Sequence, residues 1–78
     1  MKVTVLWHHA ALATFYRLFM HSATLVDRAV LRLAERGEGD LRRVAPYHRL
    51  AAGFHDVILV IDAGTLAINV LHIYRARR

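Results

Sequence analysis

Tyr47, Arg49 and Asp56 fall in one short stretch, and Arg75, Arg77 and Arg78 close the chain. Guanidinium groups grip phosphates and carboxylates through paired, planar hydrogen bonds. An aromatic ring beside them gives an unstacked base a surface to lie on. Tyr47, Arg49, Asp56, Arg75, Arg77 and Arg78 are therefore the candidate RNA-binding set, with Arg49 and Arg75 as candidate catalytic cations. Cleavage of RNA by its own 2′-hydroxyl needs a base for the proton, a cation for the added phosphate charge and an acid for the leaving oxygen. The competing reading is plainer: a cross-strand ion pair between Arg49 and Asp56, with the tail arginines solvated. Such surface pairs contribute little.

The histidines carry less. His55 and Asp56 are adjacent, which suggests a dyad, but neighbours on a strand point to opposite faces. His55 is expected opposite His72 on the apolar face, and His48 points away from Arg49 by the same alternation. Two imidazoles fall short of the four ligands zinc usually takes, and the chain has no cysteine. No metal or cofactor is expected. His8, His9 and His21 read as helix-start and surface residues, and Trp7 as core.

The elements that must hold these residues follow from patterning. Residues 2–7 are β-branched or aromatic after Lys2 and predict a strand. Ala11, Phe15, Leu18 and Phe19 recur at helical spacing. Ser22 is the expected cap of a second helix, whose apolar face is Leu25, Val26, Ala29, Val30 and Leu33. Arg28, Arg32, Glu35 and Arg36 form its polar face, and Gly37 to Asp40 stops it. Pro46 argues against further helix. Residues 47–51, 57–61 and 66–74 read as strands, with turns at Ala52-Gly53 and Ala63-Gly64. These turns place Arg49 opposite Asp56 and Tyr47 opposite Ile58. They also put Val57, Leu59, Ile61, Leu66, Ile68 and Val70 on one apolar face. The expected architecture is α+β, βααβββ, with two helices on one face of an antiparallel-rich sheet.

The chain has 78 residues, so residues 1–78 form one domain. That is small for a self-sufficient core, and 56% of the residues are apolar, which suggests a bound partner or an oligomer. Net charge is +5, from 11 basic and 6 acidic residues, and Lys2 is the one lysine. A basic balance suits RNA, DNA, an acidic protein or an anionic membrane. No secretory signal pattern is evident, and a cytoplasmic location is expected. A two-helix membrane protein is a further alternative. Its candidate spans, residues 3–20 and 57–71, contain His8, His9 and Arg17, and Asp62 and Asn69. Charges at membrane depth cost roughly 2.5–3.5 kcal/mol each.

The stretch YHRLAAGFHDVILVID, residues 47–62, resembles the central hairpin signature of the RelE/ParE superfamily of bacterial toxins. Arg49, Leu50, Gly53, Val57, Ile58, Ile61 and Asp62 fall on it without a gap. VLHIYRARR, residues 70–78, is similar to that family's last strand and basic end, and VTVLWHHAAL, residues 3–12, to its first strand entering a helix. The resemblance implies the toxin half of a type II toxin–antitoxin pair, neutralised by a cognate antitoxin. RelE-like members cut mRNA on the ribosome. ParE-like members are non-enzymatic inhibitors of DNA gyrase, and fold alone does not choose between the two. Two departures bear on the choice. Asp56 stands where RNA-cleaving members carry an arginine, and Leu59 where a tyrosine is common. Tyr74 is the nearest match to their C-terminal Tyr or His, at a different motif position. A degenerate cleavage site is the resulting expectation.

Overall fold

The computed structural model describes residues 3–77; Lys2 and Arg78 lie outside the described residues. The elements are β1 (Thr4–Trp7), α1 (His9–Arg17), α2 (Met20–Arg36), β2 (Leu41–Val44), β3 (Tyr47–Ala52), β4 (His55–Asp62) and β5 (Ala67–Arg75). The strands form one sheet in the order β1-β5-β4-β3-β2, with β1 parallel to β5 and every other pair antiparallel. The expected α+β fold with two helices is present. The sheet has one more strand than patterning predicted: β2, four residues ending just before Ala45-Pro46, a stretch to which patterning assigned no element.

His8 opens α1, its Nδ1 accepting from the Ala10 N–H at 3.4 Å. The helices part where Leu18 and Phe19 are both extended. That break falls earlier than a Ser22 cap requires. Ser22 lies inside α2, which begins at Met20 without a side-chain cap. Val26, Val30, Leu33 and Ala34 recur along one buried stripe of α2. Gly37 ends the helix as patterning predicted. Its φ is +67°, and its N–H donates to the Leu33 carbonyl at 2.9 Å.

Both hairpins pair two residues away from the expected register. Between β3 and β4 the turn is Gly53-Phe54, not Ala52-Gly53, because the first turn position needs a positive φ and Gly53 supplies +63°. Between β4 and β5 the turn runs from Ala63 to Leu66, so Ile61 meets Ile68 rather than Leu66. The Asp62 carboxylate accepts from the N–H groups of Gly64 and Thr65 at 3.0 and 3.2 Å, and these bonds hold its pKa below the ordinary aspartate range. A shift of two preserves side-chain parity. Val57, Leu59, Ile68 and Val70 are accordingly buried on one face, with Leu50 and Ile73, against Ala11, Val26, Val30, Leu33 and Ala34 of the helices. Trp7 and Phe15 close one end, their rings 5.3 Å apart.

An irregularity breaks the β4–β5 ladder. Leu59 pairs with Val70, but Ile58 pairs with His72, leaving Leu71 as the extra residue of a β-bulge. Beyond it, every side chain of β5 takes the face opposite to the one simple alternation assigns. Residues 57–71, weighed above as a membrane span, are most of this hairpin, and no helix among the described residues is long and apolar enough to cross a membrane.

Candidate nucleic-acid interface

The helices cover one face of the sheet; no described element covers the other. Strand alternation and the observed registers define what that open face carries. One row reads Tyr74, Asp56 and Ala51 across β5, β4 and β3. The next reads His72, Ile58, Arg49 and Arg42 across β5, β4, β3 and β2. Tyr47 and Val44 pair at the far end of β3 and β2, both exposed.

Arg49, Arg42 and Arg77 meet at a pocket of about 280 Å³ on this face, lined also by Asp40, Ala51 and Asp56. Each arrives for a traceable reason. Arg42 is brought beside Arg49 by the β2–β3 register. Asp40 is held by its carbonyl, which accepts from the Ala51 N–H at 3.0 Å. Arg77 follows β5, on a segment fixed by the Ala76 N–H donating to the Phe54 carbonyl at 2.8 Å. Asp56 is 7% exposed, the one buried charged side chain among the described residues. Three guanidiniums thus face two carboxylates. Three arginines against two aspartates leave the pocket one positive charge in excess, and planar guanidiniums are well shaped to hold a phosphate.

The structure rearranges the expected set. Tyr47, Arg49, Asp56 and Arg77 share the open face as expected. Arg49 is not directly opposite Asp56, since Ala51 is; the turn at Gly53-Phe54 explains the difference. The expected placement of Arg75 on this face does not hold. The bulge turns it to the other side, opposite His55, and its Cζ lies 6.0 Å from the centre of the Phe54 ring. Arg78 lies outside the described residues. The expected His55–His72 pairing also fails: the longer β4–β5 turn and the bulge together set His55 opposite Arg75, so His55 keeps the helix-covered face and His72 moves to the open one. No cluster of three or more metal-ligating side chains occurs among the described residues. His48 lies on the helix-covered side as expected, with its Nδ1 and that of His55 buried and without a hydrogen-bond partner among the described residues.

Arg42, Asp40, His72 and Tyr74 were not singled out as open-face residues by patterning. The Arg42-Arg43 doublet was a signal for the first, once β2 is seen as a strand. The bulge left none for His72.

Backbone comparison with known structures places this geometry. The chain superimposes on the archaeal RelE–RelB complex from Pyrococcus horikoshii OT3 with a TM-score of 0.87 at 15% identity, covering 100% of this chain and 99% of that one. The chain has the RelE fold. The intact RelBE toxin–antitoxin complex of E. coli gives a TM-score of 0.78 at 11% identity, covering 97% of this chain and 99% of that one. The toxin–antitoxin complex RelBE2 from Mycobacterium tuberculosis gives 0.68 at 19% identity, with 97% and 100% covered. No family model and no curated protein sequence matches the chain. At these identities the likeness shows the fold alone, so the site must be argued from the residues on the open face.

Proposed function

We propose that this protein is the toxin half of a type II toxin–antitoxin pair and that its open sheet face engages mRNA on the ribosome, in the cytoplasm. The observation that carries the reading is the convergence of Arg42, Arg49 and Arg77 on one pocket of the uncovered face. A phosphodiester fits that charge pattern, and Tyr47 and Tyr74, each more than two-fifths exposed, give flanking bases aromatic surfaces. The RelE-fold structures described above are complexes with RelB antitoxins, which supports a cognate antitoxin here. The net charge of +5 favours acidic segments in that antitoxin.

The test is induced expression of the chain alone and together with the neighbouring reading frame, followed by primer extension on translated mRNA. Growth arrest relieved by the neighbour, with new cleavage ends inside codons, is the expected result. Absence of arrest in a related host counts against an active toxin.

The buried Asp56 carboxylate favours a second reading, a non-enzymatic inhibitor of a host protein such as DNA gyrase. A carboxylate in the cation pocket opposes phosphate binding. Growth arrest without cleavage ends, accompanied by DNA-supercoiling defects, would select that alternative.

A further inference from the structure

The tip of the β3–β4 hairpin carries a second cleft. Gly53, Phe54, Arg75, Ala76 and Arg77 line it, and its volume is about 790 Å³, within the range of roughly 300–1,000 Å³ usual for ligand sites. Phe54 holds the second turn position and is 66% exposed. It lies outside the core cluster, so packing does not account for an aromatic residue there. The turn is held from two sides. A Cβ on Gly53 would lie 2.6 Å from Leu25 Cδ1 of α2, and the Phe54 carbonyl accepts from the Ala76 N–H at 2.8 Å. The exposed ring is thus presented on a fixed backbone.

Arg75 reaches this ring because the bulge turns it toward the helix-covered side, opposite His55. Its Cζ stands 6.0 Å from the centre of the Phe54 ring, at the outer limit of a cation–π contact. Contacting carbon atoms lie about 3.5–4.0 Å apart, so ring and guanidinium are not pressed together and the ring keeps a face for another planar group. Neither Arg75 nor Arg77 makes an ion pair with a described residue. Among the described residues no carboxylate lines this cleft, whereas Asp40 and Asp56 line the arginine pocket of the open face. Arg77 lines both. One guanidinium therefore joins two cavities of different character: a cation pocket tempered by carboxylates, and a cleft with cations and an aromatic face.

We infer that this cleft is a second subsite for single-stranded RNA, in which a base stacks on Phe54 and the adjoining phosphate is held by Arg75. Arg77 carries the strand between the cleft and the pocket of Arg42 and Arg49. The inference rests on the reading of the open face as an RNA surface and extends the path of the strand around the end of the sheet. An aromatic face accepts any unstacked base, and cations beside it track the backbone, which is how single strands are held without sequence preference. Continuity through Arg77 with the pocket assigned to a phosphodiester favours a neighbouring nucleotide of the same strand over a protein segment.

The experiment measures retention of a single-stranded oligoribonucleotide on filters over a salt series, for wild type, Phe54→Ala, Phe54→Trp, Arg75→Ala and Arg49→Ala. The same oligomer is then used with one base removed, the abasic position being moved along the strand. Trp7, the one native tryptophan, packs against Phe15 and supplies the fluorescence baseline for Phe54→Trp. The expected result is an affinity about 10-fold or more lower in Phe54→Ala. Phe54→Trp should keep its affinity, with the emission of the introduced indole quenched by RNA. Arg75→Ala should make the slope of log affinity against log salt shallower by about 0.7. One abasic position should weaken wild type and leave Phe54→Ala unaffected, a positional dependence that a merely structural role does not produce. If Phe54→Ala and Arg75→Ala bind like wild type while Arg49→Ala binds more weakly, the cleft is overturned and the open-face reading stands. An abasic penalty equal in wild type and Phe54→Ala overturns the stacking. Quenching by a glutamate-rich peptide but not by RNA overturns the assignment and makes the cleft a protein-docking surface. Wild type that retains no oligomer overturns the cleft as an RNA subsite, while engagement of mRNA on the ribosome is judged separately by the cleavage ends.

Discussion

Asp56 is the residue on which the charge of the pocket turns. It is buried at 7% exposure beside three arginines and Asp40. Replacing Asp56 with Asn removes one negative charge while keeping the shape, so RNA affinity is expected to rise. Arg49→Ala should lower it and, if Arg49 contacts one phosphate, reduce the slope of log affinity against log salt by about 0.7 for single-stranded RNA. Filter binding over a salt series checks both. Equal affinity and slope in all three proteins would place the working surface elsewhere, most plainly on the arginine-bearing face of α2. Asp62 acts on a different quantity. Hydrogen bonds from Thr65 and Gly64 depress its pKa in the folded state. Its contribution to stability is therefore present above the unfolded-state pKa and lost as pH falls through the lower folded value. Asp62→Asn keeps an acceptor for the same N–H groups but cannot titrate. Below about pH 4, the ordinary aspartate range, thermal midpoints should fall less steeply in this variant than in wild type. Identical acid slopes would contradict the assignment.

At the scale of elements, the β3–β4 turn and the β5 bulge decide where the chemistry faces. Gly53 has φ +63°, and a Cβ there would lie 2.6 Å from Leu25 Cδ1. Gly53→Ala should cost about 1–2 kcal/mol for the left-handed backbone alone, with a further part depending on how far Leu25 yields. Chemical denaturation measures it. The bulge makes an equally direct prediction. Simple alternation puts Leu71 and Ile73 on one face, whereas the observed pairing buries Ile73 and leaves Leu71 half-buried. Ile73→Ala should therefore cost about 2–5 kcal/mol, and Leu71→Ala markedly less. Equal losses would mean that the bulge is not formed in solution.

The whole molecule couples a small core to a broad uncovered surface. Its core is one layer of helix and sheet contacts, while Tyr16, Phe19, Met20 and Phe54 are 66–89% exposed. A domain this size buries a modest share of its surface, and a ligand that binds only the folded state raises its stability by mass action. Co-purification with the proposed antitoxin should therefore raise the thermal midpoint, increasingly so with antitoxin concentration. A midpoint independent of antitoxin would argue that the neighbouring product is not its partner.

Much of this was legible in the sequence. Helical spacing located both helices, Gly37 marked the end of α2, and the apolar alternation of Val57, Leu59, Ile68 and Val70 identified the core face, because these signals are local. Parity also put Tyr47, Arg49 and Asp56 on one face, and parity survives a register error of two. Pairing itself was decided by tertiary structure. The backbone twist of the β3–β4 hairpin sets Gly53 as the first turn residue, and the four-residue turn at Ala63–Leu66 depends on Asp62 capping it. The short strand β2 exists because β3 offers it a partner, so Arg42 reached the pocket through a contact between strands. The exchange of Arg75 for His72 on the open face had no local signature. A bulge is a mismatch between two strands, and one strand read alone contains only half of it.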